Sequence, residues 1–395
     1  MKISIRPDPD CVTLIRLKFK KMVIDFLKSV GVSAKDANNL ESAHTIEINE
    51  NLTPMVKIFE MWCYLPEVLF EKSDWVFKIS KNNFFILFII NDQVVCCNLL
   101  STGGLSQLPE NLLNFYCDKY DVQTLNNSFE NLKNLSNLKS ITFKDFKTLK
   151  DISIFENLIN LQRLDLSGCE SLTNIAPVSR LVNLKTLNLF KCESLTDLRP
   201  LYSFDQLWYL NLGKCELITD ISSLSGLIQL QTLSLNNCTS LTDISVLFGL
   251  IKLQTLYIRN CAQLIKKSFS GLTQLRSLDL SGNETLTDIT SLSTLIHLNS
   301  INLSDSTSLT DISPLSALIH LNSVKLSDCT SLTDINPLSC LSQLESLELN
   351  SCKSLTDISP LSSLTQLQNL DFGFYESLTD ISSLSGLIQL QTLNL

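Results

Sequence analysis

The sequence predicts an α/β solenoid: a parallel β-sheet built one short strand at a time, turns and 3₁₀ segments on the opposite side, and a small α+β domain in front of it. Three observations carry this. A block of about 23 residues with the outline LxxLxLxxCxSLTDISPLSxLxx recurs from Leu138 to the last residue. Its leading leucines fall at Leu138, Leu161, Leu184, Leu207, Leu230, Leu253, Leu275, Leu298, Leu321, Leu344, Leu367 and Leu390, each 23 residues after the last except for the 22 between Leu253 and Leu275. Residues 1–110 lack the repeat and hold all four methionines.

Within residues 1–110, Leu14, Leu17, Phe19, Met22, Val23, Phe26 and Leu27 fall at mostly helical spacing over Val12–Val32, with Gly31 as a stop. A second helix is expected over Pro54–Glu71, around Met55, Ile58, Phe59, Met61 and Trp62. Trp75–Ser80, Phe84–Ile90 and Gln93–Leu99 are rich in β-branched and aromatic residues and are separated by the turn-formers KNN and ND, which predicts an antiparallel meander. Gly103, Gly104 and Pro109 mark the junction. Residues 111–137 then read as a degenerate capping repeat, with Tyr120, Val122 and Leu125 in strand positions and Phe129, Leu132 and Leu135 leading into Leu138. Residues 138–395 form the solenoid proper, eleven units and a partial one.

One unit, Leu321–Gln343, shows why the block folds. Leu321, Val324 and Leu326 give a short strand, with Asn322, Ser323, Lys325 and Ser327 turned the other way. Such a strand cannot stand alone. Stacked about 4.8 Å apart, equivalent strands pair into a parallel sheet in which each leucine covers its counterpart in the next unit. Burying a leucine contributes about 1.5–3 kcal/mol, which offsets the entropy of ordering only when neighbours are present. The return, SLTDISPL, is too short for a long helix, and Pro200, Pro314, Pro337 and Pro360 suit the first turn of a 3₁₀ segment.

The LxxLxL strand followed by cysteine, where many members carry asparagine, resembles the leucine-rich repeat superfamily over roughly residues 117–395. The LTDISPLSxL return is similar to the protein-phosphatase-regulator and internalin type, although its 23-residue unit is one residue longer than theirs. The resemblance implies a horseshoe or arc with the sheet on its concave face and turns or 3₁₀ segments on its convex face. It also implies a solenoid used for protein recognition, with no chemistry attached.

Composition narrows the function further. A net charge of −9 argues against nucleic acid and acidic membranes as partners. The N-terminus, MKISIRPDPDCVTLIRLKFKK, lacks the layout of a secretory signal, and the most apolar run, Phe84–Ile90, is far short of the roughly 20 residues a spanning helix needs. Thirteen cysteines, an odd number, fit reduced thiols in the cytoplasm better than a disulfide framework.

Two ladders and one pair invite a reading as metal sites. Cys169, Cys192, Cys215, Cys238, Cys261, Cys329 and Cys352 share one slot of the repeat, where Phe146, Asn283, Ser306 and Tyr375 also occur. That tolerance argues against a ligand set and for a structural ladder of small buried side chains. Asp197, Asp220, Asp243, Asp288, Asp311, Asp334, Asp357 and Asp380 share a second slot with Asn174, which fits local capping of a turn better than calcium. His297 and His320 are equivalent one unit apart, and two ligands do not make a zinc site. There is no phosphate-binding glycine loop, GxSxG elbow or HExxH, so neither catalytic residues nor a cofactor is expected.

The sheet face carries the remaining signal. Early units offer Arg163, Lys185, Phe190, Lys191, Trp208, Tyr209, Lys214, Tyr257 and Arg259, while later ones offer Asp279, Asp305, Asp328, Glu348 and Asp371 among serines. Trp, Tyr and Arg dominate interface energetics, which makes the basic-aromatic group the candidate partner-binding patch of a non-enzymatic interaction scaffold. Two alternatives stay open. LPEVLF at Leu65–Phe70 and LPENLL at Leu108–Leu113 faintly resemble the start of an F-box, as in a ubiquitin-ligase adaptor. Residues 1–110, with His44 and scattered carboxylates, could instead be an enzyme that the repeats target.

Two irregularities add expectations. The short unit from Leu253 to Gln274 replaces LTDISPL with LIKKSFS and should place a kink beside the patch. The sequence stops at LNL, inside a strand, leaving its last leucines to be covered by further chain, by self-association through this C-terminal end, or by the partner.

Overall fold

The computed structural model describes residues 2–4, 45–47, 75–79, 85–90, 93–99, 112, 114–118, 129–261, 263–264, 269–373 and 381–394. The chain divides into two compact units, one of residues 1–120 and 124–138 and one of residues 121–123 and 139–395.

In the first unit, β1 (Lys2–Ser4) pairs antiparallel with β2 (Thr45–Glu47). Strands β3 (Trp75–Ile79), β4 (Phe85–Ile90) and β5 (Gln93–Leu99) pair antiparallel in order, with an irregularity between Phe88 and Ile89. Strand β6 (Asn114–Asp118) then joins β5 in parallel, Cys96 opposite Asn114, a strand not anticipated from the sequence. Phe129–Asn134 is a 3₁₀ turn, and Leu132 within it and Leu135 and Leu138 after it are buried. The helices expected at Val12–Val32 and Pro54–Glu71 lie outside the described residues. So do His44, Leu65–Phe70 and the strand positions Tyr120, Val122 and Leu125.

The second unit is a ladder of twelve parallel strands: β7 (Ser140–Lys144), β8 (Arg163–Asp165), β9 (Thr186–Asn188), β10 (Tyr209–Asn211), β11 (Thr232–Ser234), β12 (Thr255–Tyr257), β13 (Ser277–Asp279), β14 (Ser300–Asn302), β15 (Ser323–Lys325), β16 (Ser346–Glu348), β17 (Asn369–Asp371) and β18 (Thr392–Asn394). Equivalent residues pair throughout, as in Leu210 opposite Leu187 and Leu233. The strand leucines point inward and vanish from solvent: Leu161, Leu164, Leu166, Leu184, Leu187 and Leu189 are all 0% exposed. At the β7 level aromatics fill the same space, Phe143 packing against Phe146 at 5.1 Å and Phe155 at 5.4 Å between ring centroids.

The return side is made of 3₁₀ turns, and among the described residues no α-helix occurs, so the helical half of the predicted class is entirely 3₁₀. The turns Arg199–Leu201, Ser313–Ala317, Asn336–Cys340 and Ser359–Ser363 carry Pro200, Pro314, Pro337 and Pro360 in their first turn, where the missing N–H is not required. The short unit leaves the ladder in register, Leu256 opposite Leu278. The 23-residue spacing holds up to Leu264, and Phe269 already falls 22 after Leu247, so the deletion lies between them on the return side. At the far end, Leu393 is 42% exposed whereas its neighbour Leu370 is 1% exposed.

Candidate binding face on the parallel sheet

The side chains flanking each inward strand leucine form columns across the sheet. One column runs Ser140, Arg163, Thr186, Tyr209, Thr232, Thr255, Ser277, Ser300, Ser323, Ser346, and another Thr142, Asp165, Asn188, Asn211, Ser234, Tyr257, Asp279, Asn302, Lys325, Glu348. The residue before each strand extends the face on one side and carries Lys185, Trp208, Arg276 and Glu345. On the other side the chain turns through one left-handed residue per unit: Asp145, Gly168, Lys191, Lys214, Asn237, Asn260, Gly282, Asp305, Asp328 and Ser351 all have positive φ. The glycine at 282 has a second reason, because a Cβ there would run into the Asn260 side chain. Lys191 and Lys214 therefore hold a conformation that their side chains disfavour.

The structure places the basic-aromatic residues on this one face. Trp208 is 39% exposed, and its ring lies edge-on to Tyr209 at 6.1 Å. Tyr209 and Tyr257 are half-buried, two strands apart, and between them β11 presents only Thr232 and Ser234. Burial pushes the Tyr209 phenol up, with the nearby Asp165 adding to the shift. The Lys214 ammonium sits 5.9 Å from the centre of the Phe190 ring.

Several of the charges are already engaged. Lys191 Nζ donates to Glu170 Oε1 at 2.6 Å, and Lys147 approaches the same oxygen at 3.2 Å, which together hold the Glu170 carboxyl below its usual range. Arg259 Nε donates to the buried Asp279 Oδ2 at 2.7 Å. Asn188 Nδ2 donates to Asp165 Oδ2 at 3.0 Å, while Asp165 Oδ1 accepts the Ser167 N–H at 2.9 Å. Arg163, Lys185 and Lys214 make no ion pair with any described residue.

The two ladders have positive structural roles. Each ladder thiol donates to a carbonyl of the preceding unit, from Cys169 to Phe143 O at 3.5 Å to Cys352 to Leu326 O at 3.0 Å. Asn283 does the same work, donating to Ile258 O at 2.9 Å while its Oδ1 accepts the Cys261 N–H at 2.7 Å. Burial pushes the Cys169, Cys215 and Cys329 thiols up to about 12. The aspartates cap the 3₁₀ turns: Asp311 Oδ1 accepts the Ser313 N–H at 2.7 Å, and Asn174 in that slot accepts the Ala176 N–H at 2.8 Å. Asp380 lies outside the described residues, His297 and His320 are both exposed, and among the described residues no group of three His, Cys, Asp or Glu is placed to hold a metal ion.

A column of exposed aliphatics lies on the return side, outside the residues expected to bind. Ile159, Val182, Ile228, Ile251, Ile296 and Ile319 each follow a buried leucine at the end of the return and are 51–72% exposed. Its signal in the sequence is a β-branched residue after leucine at the repeat spacing, overlaid by the stronger pattern of inward leucines.

The fold has solved counterparts. An internalin (inlF) from Listeria monocytogenes superposes with a TM-score of 0.55 at 24% identity, covering 75% of this chain and 89% of the internalin. TLR13, in its complex with ssRNA13, gives 0.51 at 21% identity, with 77% of this chain and 54% of the receptor covered. Drosophila Toll, in its complex with Spatzle, gives 0.50 at 16% identity, with 80% and 45% covered. At these identities the likeness is one of fold. No curated protein sequence matches the chain. Among the described residues no helix is long and apolar enough to cross a membrane. The model of the BspA-type leucine-rich repeat region matches in six copies across residues 120–242 and 280–393, and the chain belongs to that family.

Proposed function

We propose that this protein is a non-enzymatic recognition scaffold whose sheet face binds a protein partner through Arg163, Phe190, Lys191, Trp208, Tyr209, Lys214, Tyr257 and Arg259. The observation that carries the reading is Trp208 and Tyr209, edge to face on a sheet surface, beside a floor of Thr232 and Ser234. Large aromatic side chains left partly open beside small ones offer the deep, water-excluding contacts on which interface energy concentrates. The fold itself does not choose a ligand, since it appears with RNA in one solved complex and with Spatzle in another. The chemistry of the face does choose. A net charge of −9 opposes a polyanion, whereas aromatics with a few cations suit a protein surface. Thiols that serve as hydrogen-bond donors must stay reduced, which supports a cytoplasmic setting.

The test is affinity capture with the wild-type chain and with a Trp208→Ala, Tyr209→Ala, Tyr257→Ala variant. Proteins retained by the first and lost by the second support the reading. Undiminished capture by the triple variant removes it.

A further inference from the structure

The charges on the sheet face are biased along the stack. Outside the internal pairs Lys191 with Glu170, Arg259 with Asp279 and Lys325 with Glu348, the first six strands present Lys139, Arg163, Lys185 and Lys214 beside Asp145 and Asp165, and the last six present Asp305, Asp328, Glu345 and Asp371 beside Arg276. Their positions are related. Strands β12 and β13 are the middle pair of the twelve. An axis parallel to the strands and lying between these two brings β8 over β17, β9 over β16 and β10 over β15 when the face is rotated by half a turn onto a second copy. Such a rotation keeps each residue in its own column. It sets Lys185 over Glu345, both immediately before a strand, and Lys214 over Asp328, both at the left-handed turn. On β8 and β17 it lays Arg163 over Asn369 and the buried, hydrogen-bonded Asp165 over Asp371, so the charge match is carried by the Lys185 and Lys214 contacts.

Shape follows the same division. The bulky residues Trp208, Tyr209 and Tyr257 stand on β10 and β12 or beside them, whereas one column of the acidic half is Ser277, Ser300, Ser323 and Ser346. The same rotation lays Tyr209 over Ser323 and Trp208 over Asn322. Local electrostatics agree, since burial together with Asp328 and Glu284 pushes the Asp305 carboxyl up, the mark of negative charge crowded without an internal cation.

We infer that the sheet face of this protein is self-complementary and is occupied by a second copy of the chain, in a two-fold dimer with its axis between β12 and β13. The inference rests on the reading that this face is the binding face.

The test uses the full-length purified chain and residues that the repeat itself carries in the same slots. One variant is Lys185→Glu, Lys191→Asp, Lys214→Asp, following Glu345, Asp305 and Asp328. The other is Glu345→Lys, Asp305→Lys, Asp328→Lys, following Lys185, Lys191 and Lys214. Sedimentation at low salt should show a wild-type dimer that weakens as salt rises, and each variant alone dimerising about tenfold or more less tightly. An equal mixture of the two should recover wild-type affinity, because both contacts become opposite in sign again, an outcome that loss of folding cannot produce. A wild-type chain that stays monomeric, a dimer indifferent to salt, or a mixture that fails to recover would each overturn the inference. A monomer that still captures a protein through Trp208, Tyr209 and Tyr257 would leave the proposed function standing without it.

Discussion

The first and last six units of the ladder share one interior and differ on one surface. Leu164, Leu187 and Leu210 in the early strands and Leu278, Leu347 and Leu370 in the late ones are equally buried, at 0–1% exposure. Around them the columns change from Arg, Tyr, Trp and Lys to Ser, Asp and Glu. Folding is thus carried by inward positions repeated with little change, and recognition by outward positions varied at little cost to the stack. The 15 residues Thr219–Leu233, repeated unchanged at Thr379–Leu393, show how freely the scaffold is copied.

The largest expected effect tests whether the interior is uniform. Leu233→Ala in the early half and Leu347→Ala in the late half should each lower stability by about 2–5 kcal/mol in denaturant titrations, since both remove a fully buried side chain between two neighbours. A loss confined to one half would break the claim that the two share a scaffold.

A smaller pair of effects should have opposite signs at one slot. The Cys329 thiol donates to Leu303 O at 3.3 Å, so Cys329→Ala loses a bond and leaves a small void, costing about 1 kcal/mol or more. One unit earlier Ser306 Oγ is buried with no partner, because Leu280 O, the carbonyl equivalent to Leu303 O, is already taken by Asn283 Nδ2 at 2.6 Å. Ser306→Ala should raise stability by about 1 kcal/mol. Thermal denaturation of both variants checks the two signs together.

Legibility in the sequence follows the same division. The strands, their parallel register, the capping aspartates and the turn prolines could be read because each recurs at a fixed step and has one local cause. Strand β6, outside the repeat, could not, since Asn114–Asp118 carries no periodic signal. Residues of the candidate face were legible as types but not as contacts. That Lys191 is engaged by Glu170, or Arg259 by Asp279, depends on which side chains meet across strands about 20 residues apart. Nor does sequence show that Lys191, Lys214, Asp305 and Asp328 share a left-handed turn, a conformation usually left to glycine and asparagine.

Effects of pH should separate scaffold from face with the least perturbation. The cap aspartates Asp220, Asp311 and Asp357 have carboxyls held below the usual range by the backbone N–H groups they accept, Ser222, Ser313 and Ser359 respectively. A folded value below the unfolded one stabilises at every pH above the ordinary carboxylate value of about 3.9 and is lost as pH falls through the folded value. These caps occur in both halves, so acid should weaken both. Asp220→Asn, Asp311→Asn, Asp357→Asn, which copies Asn174, should keep the cap hydrogen bonds, lower stability somewhat near neutral pH where the charged form contributes, and flatten the acid loss. Asp305 has the reverse sign: its folded value is raised, so its contribution is greatest below the ordinary carboxylate value and declines as pH rises through the folded one. Asp305→Asn should therefore stabilise the isolated chain near neutral pH and have little effect in acid, with denaturation midpoints across pH as the measurement. If Asp305 is instead neutralised by Lys or Arg from a second copy, that gain should appear only at concentrations or salt levels where the chain is monomeric.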